Sequence, residues 1–182
     1  MSLPFLLPMN VSLVLQRAGL ESELASLARL LFTARGRIGP SDFWLAFGIL
    51  FIGGLLALAI PRIGWALWLA TAFPWTCVYA KRLHDLNHSA WVQLVAYAVN
   101  FGLAVAGLVL VGWSLVSPFI APRADMTSMS MPAVIGVLLL VAGTGMFNII
   151  WWVWLGLSPG EDGENRFGPP PSEPILRISP EL

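Results

Sequence analysis

Charge is what this sequence has least of. Only 11% of its 182 residues are Asp, Glu, Lys or Arg, against roughly 25% in a soluble domain. It has one cysteine and two histidines. A single thiol, Cys77, excludes an intrachain disulfide framework and carries no signal of redox compartment. Two histidines, His84 and His88, leave no third for an all-histidine zinc site. Formal net charge is zero, so no global basic field draws the chain to nucleic acid. What the chain has in excess is apolar length: 57% of its residues are hydrophobic, nine of them Trp.

Four stretches are apolar and long enough to cross about 30 Å of hydrocarbon at 1.5 Å per residue. They run over 43–60, 63–80, 91–117 and 133–157. "IPRIG" joins the first two as a tight hairpin with Arg62 at its tip. Pro74 removes one backbone bond from the second stretch and kinks it, with Thr71 a local partner for the freed carbonyl. The expected fold is therefore an all-α integral membrane protein. It has four transmembrane helices in two antiparallel hairpins, in one domain over 35–171.

Direction follows from Lys and Arg in the alternate flanks. Arg17, Arg29, Arg35, Arg37, Lys81, Arg82, Arg166 and Arg177 fall on one side, and only Arg62 and Arg123 on the other. Both termini and the loop at 81–88 are expected in the cytoplasm. Trp44, Trp91, Trp151, Trp152 and Trp154 cluster towards that boundary, and Trp65, Trp68 and Trp113 towards the opposite one; Trp75 is the exception.

The N-terminal extension, 1–34, stands apart. Residues 3–15 are apolar but short, broken by Pro4 and Pro8, and lack the basic leader and small-residue cleavage site of a signal peptide. In "LESELASLARLLFTARGR", Leu20, Leu24, Leu27 and Leu31 share one helical face. Such an amphipathic helix either lies on the inner leaflet or packs against the bundle's own cytoplasmic end. The tail, 172–182, continues a run of prolines and is expected to be disordered.

Between the second and third stretches, "VYAKRLHDLNHSAW" packs Lys81, Arg82, His84, Asp85 and His88 into eight positions. "HDLNH" has the spacing of the zinc-protease pattern, but with Asp for Glu and no third histidine, so no metal site is assigned. Ser89 and Cys77 lie near His84, yet no third group orients them for nucleophilic attack. The plain reading is a topological anchor: Lys81 and Arg82 end one span, Asp85 pairs with Arg82, and Asn87 or Ser89 caps the next helix. A second reading joins "ARGR", "KRLHD" and "ENRFG" into one donor-rich rim on the cytoplasmic face. Arg37, Lys81, Arg82, His84, Asp85, Asn165 and Arg166 are its candidate ligand-binding residues, with Arg35 beside them. Arginine forks suit phosphate oxygens, and basic pockets between helices hold anionic headgroups. Inside the apolar stretches, Asn100 and Asn148 lie at one depth, about 13 Å from the cytoplasmic end, and are expected to bond each other or a neighbouring backbone. Ala98, Gly102 and Ala106 form a small-residue ladder suited to close helix approach.

"GRIGPSDFW", "KRLHDLNHSAW" and "GENRFGPPP", in that order and framing four spans, resemble the YhaH/YhaI-like proteins. These are small bacterial inner-membrane proteins in a domain family of unknown function. The resemblance covers roughly 35–171 and implies a multi-pass bacterial inner (plasma) membrane location, with no established activity and no cofactor. Arg37, Arg82, His84, Asp85, Asn165 and Arg166 match its motifs. Gly39 and Pro40 stand where the family usually has Ser and a basic residue, His88 where a basic residue is usual, and Ala90 where Gly is usual.

The function expected from these readings is a non-enzymatic module that binds anionic lipid or a membrane-protein partner through the rim, or another copy of itself. The alternatives are a small transporter or channel, or an enzyme on a membrane-bound phosphate-containing substrate with His84 and Asp85 as its acid–base pair.

Overall fold

The computed structural model describes residues 21–120 and 126–171. The expectations for residues 3–15, Arg17, Leu20, Arg123, Arg177 and the tail 172–182 lie outside the described residues. The chain divides into two compact units. The first joins the described residues up to His88 with those from Pro159 onward, and the second is Ser89–Ser158.

In the first unit, α1 covers residues 21–32, followed by α2 (Pro40–Leu58), α3 (Gly64–Ala70) and α4 (Ala72–Asp85). Gly39, extended at φ −73°, precedes α2, and Pro40 opens it, where a missing N–H costs nothing. The turn after α2 places Arg62 at φ +69°, a left-handed conformation that a side chain disfavours. Here α2 and α3 come so close that a Cβ on Gly64 would strike the Ala57 carbonyl. α2 packs on α4, and Phe43, Ala46 and Leu50 of α2 and Val78 and Leu83 of α4 are all buried. Aromatic rings line this seam, with Phe47 5.3 Å from Trp75 and Trp75 5.4 Å from Tyr79.

The second unit holds α5 (Gln93–Ile120), α6 (Met126–Leu138), a π-helical turn (Leu139–Gly143) and α7 (Thr144–Leu157). A 3-10 turn, Ala90–Val92, leads into α5, and the Ser89 hydroxyl accepts from the Trp91 N–H at 3.4 Å. α5 meets α6 where Gly107 faces Gly136: a Cβ on either would come within 2.7 Å of the other's carbonyl oxygen. Ala98, Gly102 and Ala106, the expected ladder, are exposed instead. The inward face carries the buried Gln93, Ala96 and Gly107, with Asn100 half-buried among them. Asn100 and Asn148 are bonded reciprocally, Asn148 Nδ2 to Asn100 Oδ1 at 2.8 Å and Asn100 Nδ2 to Asn148 Oδ1 at 3.5 Å. Each also donates to the carbonyl four residues back, of Ala96 and of Thr144.

The described residues are helical, and three helices among them are long and apolar enough to cross a membrane: Pro40–Leu58, Ala90–Ile120 and Ser130–Leu157. The expected count of four is corrected on this point. The stretch 63–80 is not one helix but α3 and α4, divided at Thr71, and neither piece reaches spanning length. The cause is Pro74, which cannot donate to the Ala70 carbonyl. The Thr71 hydroxyl serves the Trp68 carbonyl at 2.6 Å, not the carbonyl freed by the proline.

Candidate functional site

The charged stretch closes α4. Asn87, at φ +57°, follows the helix end, and the His88 N–H reaches the Leu83 carbonyl at 2.8 Å while the Asn87 N–H reaches that of His84 at 3.0 Å. This is a Schellman ending with Asn in the left-handed position usually taken by glycine. Asn87 therefore ends α4, and Ser89 alone serves the following helix.

Arg82 turns inward from the last turn of α4 and is wholly buried. Its Nη1 bonds Asp85 Oδ2 and reaches the Ile38 carbonyl at 3.3 Å. From the segment before α2, Arg37 approaches the same carboxylate: Nε and Nη2 each lie 3.1 Å from Asp85 Oδ1. The three side chains are at most 2% exposed. Arg37 Nη1 donates to the Gly163 carbonyl at 2.6 Å and the Gly168 carbonyl at 3.3 Å, and Nη2 bonds that of Glu161. A guanidinium carries five N–H donors, and each of Arg37's three nitrogens is engaged by protein oxygens. Asp85 also accepts the Glu161 N–H on its backbone carbonyl at 3.0 Å. Gly160 lies directly on its carboxylate, where a Cβ would collide with Oδ2. Two cations and one anion are thus sequestered together, with backbone carbonyls taking the surplus positive charge.

The strap from residue 159 is shaped by "NRFG". Asn165 and Gly168 exchange backbone bonds at 3.2 and 2.9 Å, and Gly168 takes φ +122°. Asn165 Nδ2 donates to the His84 carbonyl at 3.0 Å, and its Oδ1 accepts from the Phe167 N–H at 2.9 Å. Phe167 stacks on the His84 ring, centroids 4.0 Å apart and planes 11° from parallel. The Arg166 guanidinium lies 4.7 Å from the same Phe167 ring and donates to the Asn87 carbonyl at 2.9 Å.

His84 Nδ1 lies 3.2 Å from the Gly36 carbonyl. A carbonyl only accepts, so Nδ1 carries the proton. Burial lowers the affinity of the ring for a second proton; the Gly36 bond opposes that effect and the Arg166 charge adds to it. His88 is exposed, its Nδ1 2.6 Å from the Leu86 carbonyl.

Lys81 belongs to a different contact. Its Nζ donates to the Arg29 carbonyl at 3.0 Å and bonds that of Leu30, at the C-terminal end of α1. A cation there complements the helix dipole. Burial pushes its ammonium down to about 8, opposed by the neighbouring Cys77 and Asp42.

The structure therefore brings Arg37, Arg82, His84, Asp85, Asn165 and Arg166 into one cluster, puts Lys81 on α1, and leaves Asn100 and Asn148 in the second unit. Sequence reasoning missed Gly160, Phe167, and the carbonyls of Glu161, Gly163 and Gly168. Phe167 and Gly168 stood inside a quoted motif, and Gly160 inside the glycine-rich "SPGEDG". A cleft of about 320 Å³ lies beside the cluster, lined by Pro40, Asp42, Asp85, Glu161, Asp162 and Pro171 among others. His84, Arg37 and Arg166 do not line it. Among the described residues, no three His, Cys, Asp or Glu side chains converge to hold a metal ion.

The fold and cluster define a class: an all-helical chain with three helices of membrane-spanning length and a polar clasp where two distant segments meet the end of α4. This chain belongs to the family described as "Protein of unknown function (DUF805)", whose model matches residues 31–169. That span includes every residue of the clasp. The chain is 29% identical over 152 residues to "Uncharacterized protein YiiR" of Escherichia coli strain K12, covering 79% of this chain and 88% of that one. The same protein of Escherichia coli O157:H7 matches equally. No solved structure matches.

Proposed function

We propose that this is a non-enzymatic, multi-pass protein of the bacterial inner membrane whose cytoplasmic cluster works in two layers. The inner layer, Arg37, Arg82 and Asp85 with the strap carbonyls, is structural. The outer layer, Arg166, His84 and Asn165 with Arg35 alongside, binds anionic lipid headgroups. The YhaH/YhaI-like resemblance belongs to this reading, as do four crossings with both termini inside.

One observation carries the threading. Arg37 immediately precedes α2, and Asp85 ends α4, yet the two side chains are in contact. If α2 crosses the bilayer, the chain has to return before residue 85, and only α3 with α4 can bring it back. Glu161 and Gly163 touch the same Arg37, so whatever crosses after residue 88 also returns. These contacts support an even number of crossings, with α3 and α4 as a broken fourth span. Breaks of this kind are tolerated where neighbours satisfy the freed backbone groups. The excess of Lys and Arg on the clasp side orients it inward.

The division of labour follows from which donors are free. Arg37 is fully committed and Arg82 is buried, so neither can grip a phosphate without releasing Asp85. Arg166 is exposed, and among the described residues its bond to Asn87 engages one of its nitrogens, which supports N–H groups left for an anionic oxygen. The enzymatic alternative draws little support, because both Asp85 oxygens are held by guanidiniums and His84 Nδ1 by Gly36. Transport draws little either, since Asn100 and Asn148 satisfy each other.

The test is native mass spectrometry of the protein with its co-purifying lipids, wild type beside Arg35→Ala and Arg166→Ala. Retention of phosphatidylglycerol by wild type, reduced several-fold in each variant, is expected. Equal retention by all three would remove the outer layer as a headgroup site.

A further inference from the structure

α1 is fastened at one end and open along one side. Leu30, in its last turn, is 3% exposed, and Lys81 holds the Arg29 and Leu30 carbonyls. Leu27 and Leu31 are half-buried on the same flank. Adjacent to that docked flank runs a second apolar row at four-residue steps, Leu24, Ala28 and Phe32. All three are exposed, Leu24 at 65% and Phe32 at 56%. Ser22 and Arg29 occupy the side beyond it, also exposed.

The height of this row is set by its fastening. Lys81 directly follows Ala80, the last residue of the apolar stretch 63–80, so its Cα lies at the end of the hydrocarbon-compatible segment. The α1 carbonyls lie within a lysine side chain's length of that level. Trp44, exposed in the first turns of α2, marks the same level, since indole rings favour the headgroup region. The Lys81 fastening thus holds the exposed Leu24–Ala28–Phe32 row near the end of the apolar stretch 63–80. An amphipathic helix at that height, with Leu24, Ala28 and Phe32 on one flank behind Glu21 in its first described turn and Arg29 on the other, suits the boundary between headgroups and acyl chains.

We propose that α1 is an interfacial helix, latched to α4 by Lys81, whose Leu24–Ala28–Phe32 row is buried in the lipid leaflet at the clasp end of the molecule. This rests on the membrane reading above but not on the headgroup site: lipid retention at Arg166 is indifferent to where Leu24 sits. Its occupant is the bilayer surface, not a second copy of the chain and not a soluble partner.

The test uses the full chain in lipid nanodiscs, with Cys77→Ala as background and a single environment-sensitive fluorophore on Leu24→Cys, Phe32→Cys or Ser22→Cys. Nitroxide on a shallow acyl carbon is expected to quench the labels at 24 and 32 at least threefold more than the label at 22. Aqueous iodide should show the reverse order. Equal iodide quenching at all three would mean that α1 stands in water, and protection of 24 and 32 from both quenchers would mean that protein covers the row. Either result overturns the proposal. Lys81→Met should at least halve nitroxide quenching at 24 while the strap stays protected from protease. Unchanged quenching in that variant would refute the latch, and Lys81→Arg, which keeps the cation, should retain wild-type quenching.

Discussion

Asp85→Asn is the sharpest perturbation available, because it changes no volume and removes one charge from a buried set of three. Asp85 faces Arg37 at 3.1 Å and bonds Arg82, and no side chain of the three is more than 2% exposed. At that separation two unit charges interact by about 5 kcal/mol at an effective dielectric constant of about 20. Asp85 makes two such contacts, partly offset by repulsion between the guanidiniums. Asparagine retains a single acceptor oxygen and leaves both cations buried without an anion. Removing one partner of a buried pair costs about 3–5 kcal/mol, and the expected loss lies in that range. For a chain of this size that lowers the melting temperature by on the order of 10 °C. Thermal unfolding in nanodiscs reads the loss, and trypsin cleavage after Arg166 reads release of the strap. Because the contact is buried, the difference should survive high salt, which would erase a surface pair. Gly160→Ala is the independent arm, since its methyl group would displace the same carboxylate without touching any charge, and by freeing the strap backbone it should also let trypsin cut the Arg166–Phe167 bond. If Asp85→Asn melts within a degree of wild type and Arg166 stays protected, the clasp does not hold the strap and the reasoning fails.

Three further outcomes are expected. Lys81 has a folded-state pKa of about 8, below its ordinary 10.5, so between these values the unfolded chain binds the additional proton. Stability should rise with pH across that window, level off below and above it, and the rise should be missing from Lys81→Met in parallel melts. Asn100→Leu alone should cost about 1 kcal/mol, because it strips Asn148 of its partner. Replacing both by leucine should recover part of the loss, and a larger loss in the double variant would show that each amide serves another group. Arg62→Gly should stabilise the α2–α3 turn by up to about 1 kcal/mol by relieving a left-handed side chain, read as a higher melting temperature. A lower one would mean that the Arg62 side chain contributes more than its backbone costs.

Much of this was legible in the sequence, for identifiable reasons. Apolar runs mark three helices because composition alone decides whether a segment suits hydrocarbon. Asn100 and Asn148 could be placed opposite each other by counting residues, since helical rise is fixed. The division at Thr71 was less legible: Pro74 announced a kink, but whether a helix bends or stops depends on the neighbours that receive its freed carbonyls. The small-residue ladder misled because small residues occur on exposed helix faces as well as at packing seams, and Ala98, Gly102 and Ala106 lie on an exposed one. The inner half of the cluster was least legible. Arg37 and Asp85 could be named, but the acceptors that complete Arg37 are backbone carbonyls, which every residue possesses and no residue type announces. Gly160 was the one printed hint, a position where any side chain would strike Asp85.

The clasp also has a place in time. Arg37 and Asp85 are synthesised well before Gly168. At a synthesis rate of about 5–20 residues per second, residue 168 follows residue 85 by roughly 4–17 seconds. Until Glu161 is made Arg37 has its carboxylate but none of the three carbonyls that complete it, and the set is whole only with Gly168. The site on the early helices therefore stays incomplete until residues 161–168 are made. A chain cut short before Pro159 would leave the buried Arg37 guanidinium without the Glu161, Gly163 and Gly168 carbonyls for good, a cation paired with Asp85 but otherwise unsatisfied.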